Sequence, residues 1–124
     1  MRNMSFSLTT DQICAGTKDV TRRAGWRFLK AGDMVRPVLK AMGLRPGEKI
    51  QALRGPIRIV SVRLEPLRAM VDDLAYGQDE VRREGFEGLP AGATPSRWVE
   101  MFMASHKGCT LDTEITRIEF EYTD

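Results

Sequence analysis

Residues 57–64, with the sequence IRIVSVRL, constrain the fold of this chain more than any other stretch. Isoleucine and valine dominate the segment, and Arg58 and Arg63 lie at its less apolar positions. β-Branched residues in roughly alternating order are typical of a strand with one face in a core. Pro66 then interrupts the pattern, because proline cannot donate to a strand ladder. The sequence therefore predicts a sheet with this strand near its centre.

Three other segments carry weaker strand signals. Phe6 and Leu8 alternate with polar neighbours and predict a short first strand. A short apolar pair before Pro37 predicts an edge strand or a bend. Residues 116–122 carry threonine, isoleucine, phenylalanine and tyrosine at every second position, so they predict a last strand with one apolar face.

Helices are predicted between these strands. Capping oxygens at residues 9–11 begin a short helix that Gly16 can end. Residues 72–83 predict a polar, weakly amphipathic helix or an irregular segment that closes at Gly85. Pro95 suits a first helical position, and the helix that follows presents one apolar face to a core. That face holds Trp98, Met101, Phe102 and Ser105.

Together these elements predict an α+β chain with a single domain, residues 1–124. Several strands separated by turns, with one strong helix inserted late, favour a small mixed β-barrel with flanking helices. An open α+β sandwich is the alternative that the pattern leaves. We find no internal repeat, linker or low-complexity tract in the sequence.

Charge is divided unevenly along the chain. Residues 1–68 carry 14 Lys and Arg against 5 Asp and Glu, whereas residues 69–124 carry 5 against 12. A basic face that survives folding would attract phosphates through Coulomb steering and counterion release. Alternatively, the two halves interleave and neutralise each other across the surface. The sequence leaves both outcomes open.

Several classes of protein are disfavoured. The longest uncharged stretch is nine residues, 88–96, so no membrane association is expected. Cys14 and Cys109 have no C-x-x-C partner, which disfavours a disulfide scaffold or a zinc site and favours a reducing cytoplasm. His106 is the single histidine, and its position predicts a structural cation near a helix end rather than a catalytic triad. No phosphate loop or dinucleotide fingerprint occurs, and no cofactor or metal is predicted.

The chemistry concentrates in two short motifs. Residues 16–23, GTKDVTRR, gather one lysine, two arginines and two threonines in eight positions. The pattern G-x-K-x-x-T-x-R is followed by a Gly-Asp turn at residues 30–33 and by the tripeptide EGF at residues 84–86. In this order, with a closing strand that ends in aromatic residues, the features resemble the ASCH domain family, a branch of the PUA-like superfamily. The resemblance spans about residues 6–122.

The resemblance implies a PUA-like pseudo-barrel with a positively charged cleft that handles RNA or nucleosides. Some small bacterial members are amidohydrolases that remove the acetyl group from N4-acetylcytidine with a lysine, a threonine and a glutamate. Those catalytic residues would be Lys18, Thr21 and Glu84 in this chain. Other members bind RNA or cleave it. From the resemblance we therefore expect first a domain that binds RNA or a modified nucleoside in a cationic cleft, with the amidohydrolase and a ribonuclease as the two alternatives.

The residues support hydrolytic chemistry independently of the family. On a helical turn Lys18 and Thr21, at i and i+3, would project from the same side. Burial and the neighbouring cations Arg22 and Arg23 would lower the pKa of the lysine, so that it could act as a base. The threonine hydroxyl would attack an amide carbonyl, with Glu84 handling the proton of the leaving amine. Arg23 would hold the substrate or its developing negative charge.

A phosphate-binding interpretation competes with this one. A cationic loop after a short helix also suits an RNA backbone, and no nucleophile is then needed. Trp26 would either stack on a base or anchor the core. Asp19 would hold Lys18 charged, and the additional residues 41–49 would reshape the mouth of the cleft. The candidate ligand-binding residues are Arg22, Arg23, Trp26 and Arg58.

Overall fold

The computed structural model of the chain describes residues 1–90 and 92–124. Within these residues four strands and one short helix come first, three helices follow, and a fifth strand comes after them. In chain order the elements are β1 (Arg2–Ser5), α1 (Thr10–Ala15), β2 (Val20–Arg23), β3 (Met34–Val38), β4 (Ile57–Pro66), α2 (Ala69–Asp72), α3 (Leu74–Arg83), α4 (Pro95–Ser105) and β5 (Glu114–Tyr122).

The five described strands form one mixed sheet in the order β1-β3-β4-β5-β2. β1 and β3 run parallel, and the other neighbours run antiparallel. The longest ladder joins β4 and β5, from Ile57 opposite Tyr122 to Pro66 opposite Glu114. The predicted α+β class is confirmed. In the described residues β1 and β2 lie at the two ends of the strand order and do not pair, so closure into a barrel stays a prediction.

The first strand differs from its prediction. β1 ends at Ser5, so Phe6 follows the strand and lies in the core, whereas Leu8 is exposed. The backbone N–H of Thr9 donates to the carbonyl of Phe6 and closes a turn before α1. The alternation that predicted a strand at residues 6–8 is therefore a turn with one buried side chain. The predicted central strand is confirmed as β4.

β3 lies inside the sheet, although Pro37 predicted an edge strand or a bend. β4 pairs with β3 only at Met34 and Val35, so Pro37 lies beyond that ladder. A proline in this position removes no hydrogen bond between β3 and β4. The inner position of the strand is therefore compatible with its proline.

The helices follow the sequence signals closely. Gly16 ends α1 with a φ of 75°, a left-handed conformation that glycine adopts without strain. The segment 72–83 contains the end of α2 and the whole of α3, and the side chain of Asp73 caps α3 by accepting a backbone N–H of its first turn. Thr94 caps α4 in the same way, and Pro95 is its first residue, as the sequence predicted.

Two apolar clusters form the core, and β5 contributes to both. The sheet cluster contains Met4, Phe6, Ile13, Leu29, Val35, Ile57, Ile59, Ile118 and Phe120. The helical cluster contains Leu67, Met70, Val81, Phe86, Trp98, Val99, Phe102 and Ile115. Because Ile115 belongs to the helical cluster and Ile118 to the sheet cluster, β5 holds the two halves of the core together.

Gly77, in the middle of α3, marks a very close contact with α2 and α4. A Cβ atom there would lie 1.9 Å from the carbonyl oxygen of Met70 and 2.9 Å from Cγ of Pro95. Alanine normally stabilises a helix relative to glycine by about 1 kcal/mol, but the Met70 carbonyl belongs to a packed helix. We expect Gly77→Ala to lower the free energy of unfolding by about 1–3 kcal/mol. Urea denaturation measures the change, and an unchanged or higher stability would contradict this packing.

Ion pairs between the two halves of the chain partly neutralise their unequal charge. Such pairs are Lys18–Glu84, Arg22–Glu80, Arg54–Asp124 and Arg58–Glu121. The described residues therefore favour the interleaving alternative over a wholly basic face.

Cys14 and Cys109 are free thiols. None of the described helices has the length and apolar content that a membrane crossing requires.

Candidate functional site

Two segments that lie 66 positions apart in the sequence meet at the end of α3. Asp19 donates its backbone N–H to the carbonyl of Arg83 at 3.0 Å, and its own carbonyl accepts from Phe120 at 3.0 Å. The Asp19 carboxylate also holds the Arg83 guanidinium through two contacts of 3.0 Å. Lys18, just before Asp19, and Glu84, just after Arg83, are thereby held side by side.

Gly85 explains the EGF tripeptide in structural terms. Its φ is 88°, and a Cβ atom there would lie 3.1 Å from the side chain of Gln12 and 3.3 Å from Cβ of Lys18. Glycine suits both the left-handed backbone and this close approach. The chain can therefore turn directly after Glu84 while it stays packed against α1 and Lys18. Phe86, the last residue of the tripeptide, lines one cleft together with Lys18 and Glu84.

The sequence left the first motif as a loop or a helical turn, and the helical alternative, on which the i, i+3 argument depended, is wrong. Lys18 lies in the loop after α1, and the residues that follow form β2, which pairs with β5. Thr21 is a strand residue opposite Ile118, so the i, i+3 argument for a shared helical face does not apply. The side chains of Lys18 and Thr21 nonetheless line the same cleft.

This cleft, which we call the deep cleft, has a volume of about 190 Å³. Its walls come from the turn at residues 5–9, from β2, from the end of α3 and from one face of α4. Lys18, Thr21 and Glu84 all line it, and their exposed fractions are only 2%, 4% and 2%. The three side chains predicted to be catalytic therefore line one cleft, and all three are buried in its walls.

Lys18 holds its amine in apolar surroundings beside a carboxylate. Nζ lies 3.1 Å from Oε1 of Glu84 and also donates to the backbone carbonyl of that residue. The centroids of two phenylalanine rings lie 6.0 and 5.9 Å from Nζ. Burial lowers the pKa of Lys18 below its ordinary value of 10.5, and the charges of Arg23 and Arg22 act in the same direction. The charge of Glu84 opposes this shift. The balance enlarges the fraction of neutral amine, the form that accepts a proton.

Thr21 is paired with Arg23 inside the deep cleft. Nε of Arg23 donates to Oγ1 of Thr21 at 3.1 Å, and its Nη2 donates to the carbonyl of Ser5. Burial lowers the pKa of Arg23 to about 10, so the guanidinium stays charged near neutral pH. Because Oγ1 accepts here, the threonine hydroxyl keeps its own hydrogen to donate. The guanidinium would stabilise negative charge that develops on this oxygen.

Arg22, a predicted ligand-binding residue, lines the deep cleft, and its side chain is fully buried in ion pairs. Its guanidinium is buried and donates to Glu65 at 2.9 Å, to Glu84 at 3.1 Å and to Glu80. Burial alone would lower the pKa of Arg22, but the three carboxylates outweigh this and raise it. Donors that are committed to buried carboxylates are not available to an RNA backbone.

Glu80 extends this arrangement to β5. Its carboxylate accepts from Arg117 at 3.2 Å as well as from Arg22. Burial would raise the pKa of Glu80, but the hydrogen bond from Arg117 and the charge of Arg22 lower it to about 2. Arg117 is itself buried, although the alternation along the last strand predicted a solvent-facing position. The buried ion network, defined as Arg22, Arg117, Glu65, Glu80 and Glu84, thus fixes α3 against β2, β4 and β5.

Two predicted ligand-binding residues lie outside the deep cleft. Arg58 is exposed on β4 and pairs with Glu121 on β5 at 2.8 Å. Trp26 packs against the sheet cluster and against Phe28, with ring centroids 5.4 Å apart. Trp26 therefore fits the core-anchor alternative, and Arg58 is a surface residue of the sheet.

The sequence analysis also expected Asp19 and residues 41–49 to influence the cleft. The carboxylate of Asp19 is engaged by the guanidinium of Arg83. Residues 41–49 do not line the deep cleft. Residues 41–49 therefore do not shape the mouth of the cleft directly, and the pKa of Lys18 is lowered although Asp19 is its neighbour in the sequence.

α4 supplies a wall that the sequence assigned only to the core. Trp98 and Phe102 belong to the helical cluster and also line the deep cleft, with stacked rings 5.3 Å apart. Nε1 of Trp98 has no hydrogen-bond partner in the described part of the chain. A buried donor without a partner costs about 1–3 kcal/mol, and this N–H is closed off from solvent. The i, i+4 spacing of Trp98 and Phe102 was the one sequence signal for this wall of the cleft, and the same spacing predicts a core face equally well.

The mouth of the deep cleft is formed by less buried residues, Leu8, Ser105 and His106. The sequence predicted His106 to be only a cation at a helix end, but its ring lines the cleft and stacks on Phe102 with centroids 4.0 Å apart.

No set of three or more His, Cys, Asp or Glu side chains in residues 1–90 and 92–124 is arranged to hold a metal ion.

Comparisons with known proteins give a structural neighbour. The chain matches no protein-family model and no curated protein. Its structure is similar to the crystal structure of protein EF3133 from Enterococcus faecalis V583, which carries the family designation DUF984. The two chains are 14% identical with a TM-score of 0.65, and the match covers 100% of this chain and 77% of the other. At this level of identity the similarity shows that the two chains share a fold.

Proposed function

We propose that the deep cleft binds a nucleoside that carries an N-acyl group and hydrolyses the amide bond of that group. The observation that carries the proposal is the buried amine of Lys18, whose pKa is lowered, in contact with Glu84 in the cleft that also contains Thr21. A lysine acts as a base only in its neutral form, and burial enlarges the fraction of that form. Buried ionisable groups of this kind, in a cleft, are typical of functional sites.

The first step forms a covalent acyl-enzyme. Neutral Lys18 takes the proton of the Thr21 hydroxyl, and the threonine oxygen attacks the acyl carbon. Arg23 donates to that oxygen at 3.1 Å and stabilises its negative charge as the proton leaves. The C–N bond then breaks, and the proton held by the Lys18–Glu84 pair passes to the leaving nitrogen. The deacylated nucleoside is released with its amino group restored.

The second step regenerates the enzyme. Water attacks the acyl-threonine ester, and the Lys18–Glu84 pair accepts one proton of that water. The ester bond breaks, the carboxylic acid leaves, and Thr21 recovers its hydroxyl. The net reaction consumes one water molecule and yields one amine and one carboxylic acid.

The walls of the deep cleft suit a flat, partly apolar group. The rings of Trp98 and Phe102 form one side of the cleft. Pockets that enclose a drug-sized ligand usually have about 300–1,000 Å³, so the 190 Å³ here fits the acylated base and leaves the remainder outside. The order of the motifs and the contents of this cleft support the finer assignment to an ASCH-type, PUA-like domain.

RNA binding without hydrolysis is the second candidate, and the ribonuclease is a third. The resemblance supports both, but the geometry supports them less, because the donors of Lys18 and Arg22 face carboxylates. Binding through phosphates requires cations that are free to meet a backbone and predicts an affinity that falls steeply with salt. The acyl-nucleoside proposal predicts a weaker salt dependence, because the ligand is neutral.

The test is incubation of the purified chain with N4-acetylcytidine, scored for cytidine and acetate by chromatography. We expect both products in equal amounts, and we expect Thr21→Val to remove turnover while Thr21→Ser keeps part of it, because serine retains the hydroxyl. Binding and cleavage of single-stranded RNA are measured in parallel at several salt concentrations. Folded protein that releases no product above buffer, or a fully active Thr21→Val variant, would contradict the proposal.

A further inference from the structure

His106 is a partly exposed ionisable side chain that lines the deep cleft near its mouth, and Arg23 is the other described lining residue of this kind. The groups proposed to break the amide bond line the same cleft and are more deeply buried than His106. A nucleoside whose acylated base reaches Lys18 and Thr21 would therefore have its sugar near the mouth. His106 directly follows Ser105, the last residue of α4, so it lies where the helical wall of the cleft ends.

The ring of His106 is held in one orientation. Its Nδ1 lies 2.9 Å from the carbonyl oxygen of Phe102 and 3.0 Å from Oγ of Ser105. The ring also stacks on that of Phe102 with an interplanar angle of 11°. Because a carbonyl oxygen can only accept, Nδ1 carries the hydrogen of this bond. In the neutral ring Nε2 is then an acceptor, and a ligand that meets it must supply a donor.

A second hollow continues beyond His106, and we call it the outer hollow. It has a volume of about 330 Å³ and shares Phe102 and His106 with the deep cleft. A ligand too large for the deep cleft therefore has space on the far side of the imidazole.

We propose that Nε2 of His106 accepts a hydrogen bond from a pentose hydroxyl of the bound nucleoside, so that the site selects ribonucleosides over deoxyribonucleosides. This inference rests on the proposed function, because it uses the acylated base to orient the ligand. His106 is a specificity residue in this account, and it takes no part in breaking the amide bond. A hydroxyl is the donor that a sugar offers, and a site that hydrogen-bonds a substrate hydroxyl disfavours the analogue that lacks it.

The experiment compares N4-acetylcytidine with its 2′-deoxy and 3′-deoxy analogues, by kcat/KM and by dissociation constant. We expect the wild-type chain to prefer the ribonucleoside over at least one analogue by roughly 2- to 10-fold, the range of one neutral hydrogen bond at a partly exposed site. His106→Phe should retain the stacking and lose the preference. Thermal unfolding of each variant checks that the fold is intact.

Two further variants separate recognition from a merely structural role. His106→Gln carries an amide near the position of Nε2, and we expect it to keep much of the preference. His106→Asn carries an amide near the position of Nδ1, so it keeps the bond to the Phe102 carbonyl and should lose the preference. If His106 only closes the end of α4, the order of the two variants should be reversed, and His106→Asn should behave like the wild type.

The outcomes distinguish this inference from the function on which it rests. Equal turnover of the ribonucleoside and both analogues, or an unchanged preference in His106→Phe, would overturn the role of His106 and leave the amidohydrolase intact. Absence of both turnover and binding for all three nucleosides would overturn the two together. A preference that His106→Phe and His106→Asn abolish and His106→Gln retains supports the inference.

Discussion

Replacing Lys18 with methionine is expected to lower kcat/KM for N4-acetylcytidine by about 10²- to 10⁴-fold, the usual contribution of a positioned general base. Methionine has a similar length and an apolar end, so it fits the buried position of the amine without leaving a charge there. The Glu84 carboxylate keeps its contact with Arg22 at 3.1 Å, so the buried ion network remains paired. Steady-state release of cytidine measures the effect.

Two comparisons sharpen this prediction. Arg58→Met is the matched control, because it also replaces a cation by methionine but lies on the exposed face of β4, and it should leave turnover unchanged. Lys18→Arg retains a cation that cannot become neutral near pH 7, so a role as base predicts inactivity whereas a role in charge attraction predicts activity. Activity of Lys18→Met within about tenfold of wild type would exclude Lys18 as the base.

The pH dependence of turnover follows from the same group. The pKa of Lys18 is lowered by burial, so the neutral amine gains population as the pH rises through a value below 10.5. We expect kcat/KM to rise with pH over that range and then level off. The rising limb should be absent from the residual activity of Lys18→Met. A profile that falls over the same range would mean that the charged amine is the active form.

Replacing Arg22 with leucine is expected to lower the free energy of unfolding by about 3–5 kcal/mol at pH 7, the usual cost when one partner of a buried ion pair is removed. Three carboxylates, those of Glu65, Glu80 and Glu84, would lose a buried guanidinium that now donates to all of them. Leucine fills part of the space but cannot compensate their charge. Chemical denaturation monitored by tryptophan fluorescence gives the change.

The matched control is Arg58→Leu, which breaks the exposed pair with Glu121 and should cost at most about 1 kcal/mol. Acid should narrow the difference between wild type and Arg22→Leu. The pKa of Glu80 is lowered from its ordinary 4.5 to about 2, so its charged form contributes stability above 4.5 that is lost as the pH falls toward 2. The variant lacks much of that contribution. Equal losses for the two leucine variants at pH 7 would contradict the structural role of Arg22.

The sequence predicted correctly those elements that depend on residue propensity and helix capping within the element itself. The β-branched run of β4 and the Thr94-Pro95 start of α4 were both found where the pattern indicated them. β2 was missed because its residues are a valine, a threonine and two arginines, which carry no apolar alternation. Its Arg22 is buried only because partners 43, 58 and 62 positions away neutralise it. Such pairing depends on tertiary contacts that a local pattern does not contain.

The residues of the candidate site also fall into two groups, those that the sequence identified and those that it did not. Lys18, Thr21 and Glu84 came from a motif order that resembled a family, and the structure brings them into one cleft. Arg58 was chosen from its charge and strand position, but alternation along a strand does not tell which face is solvent. His106 and Trp98 were assigned to structure because a helix end and an apolar helix face explain them locally. Their position at a cleft follows from how α4 packs against residues 5–9 and β2.

The most direct measurement of the central claim is the ionisation of the Lys18 amine, followed by NMR of 15N-labelled lysine side chains with Lys18→Met to assign the resonance. Our account predicts that this amine titrates clearly below 10.5 and that its resonance shifts when N4-acetylcytidine is added. An amine that titrates at or above 10.5 and does not respond to the nucleoside would contradict the account.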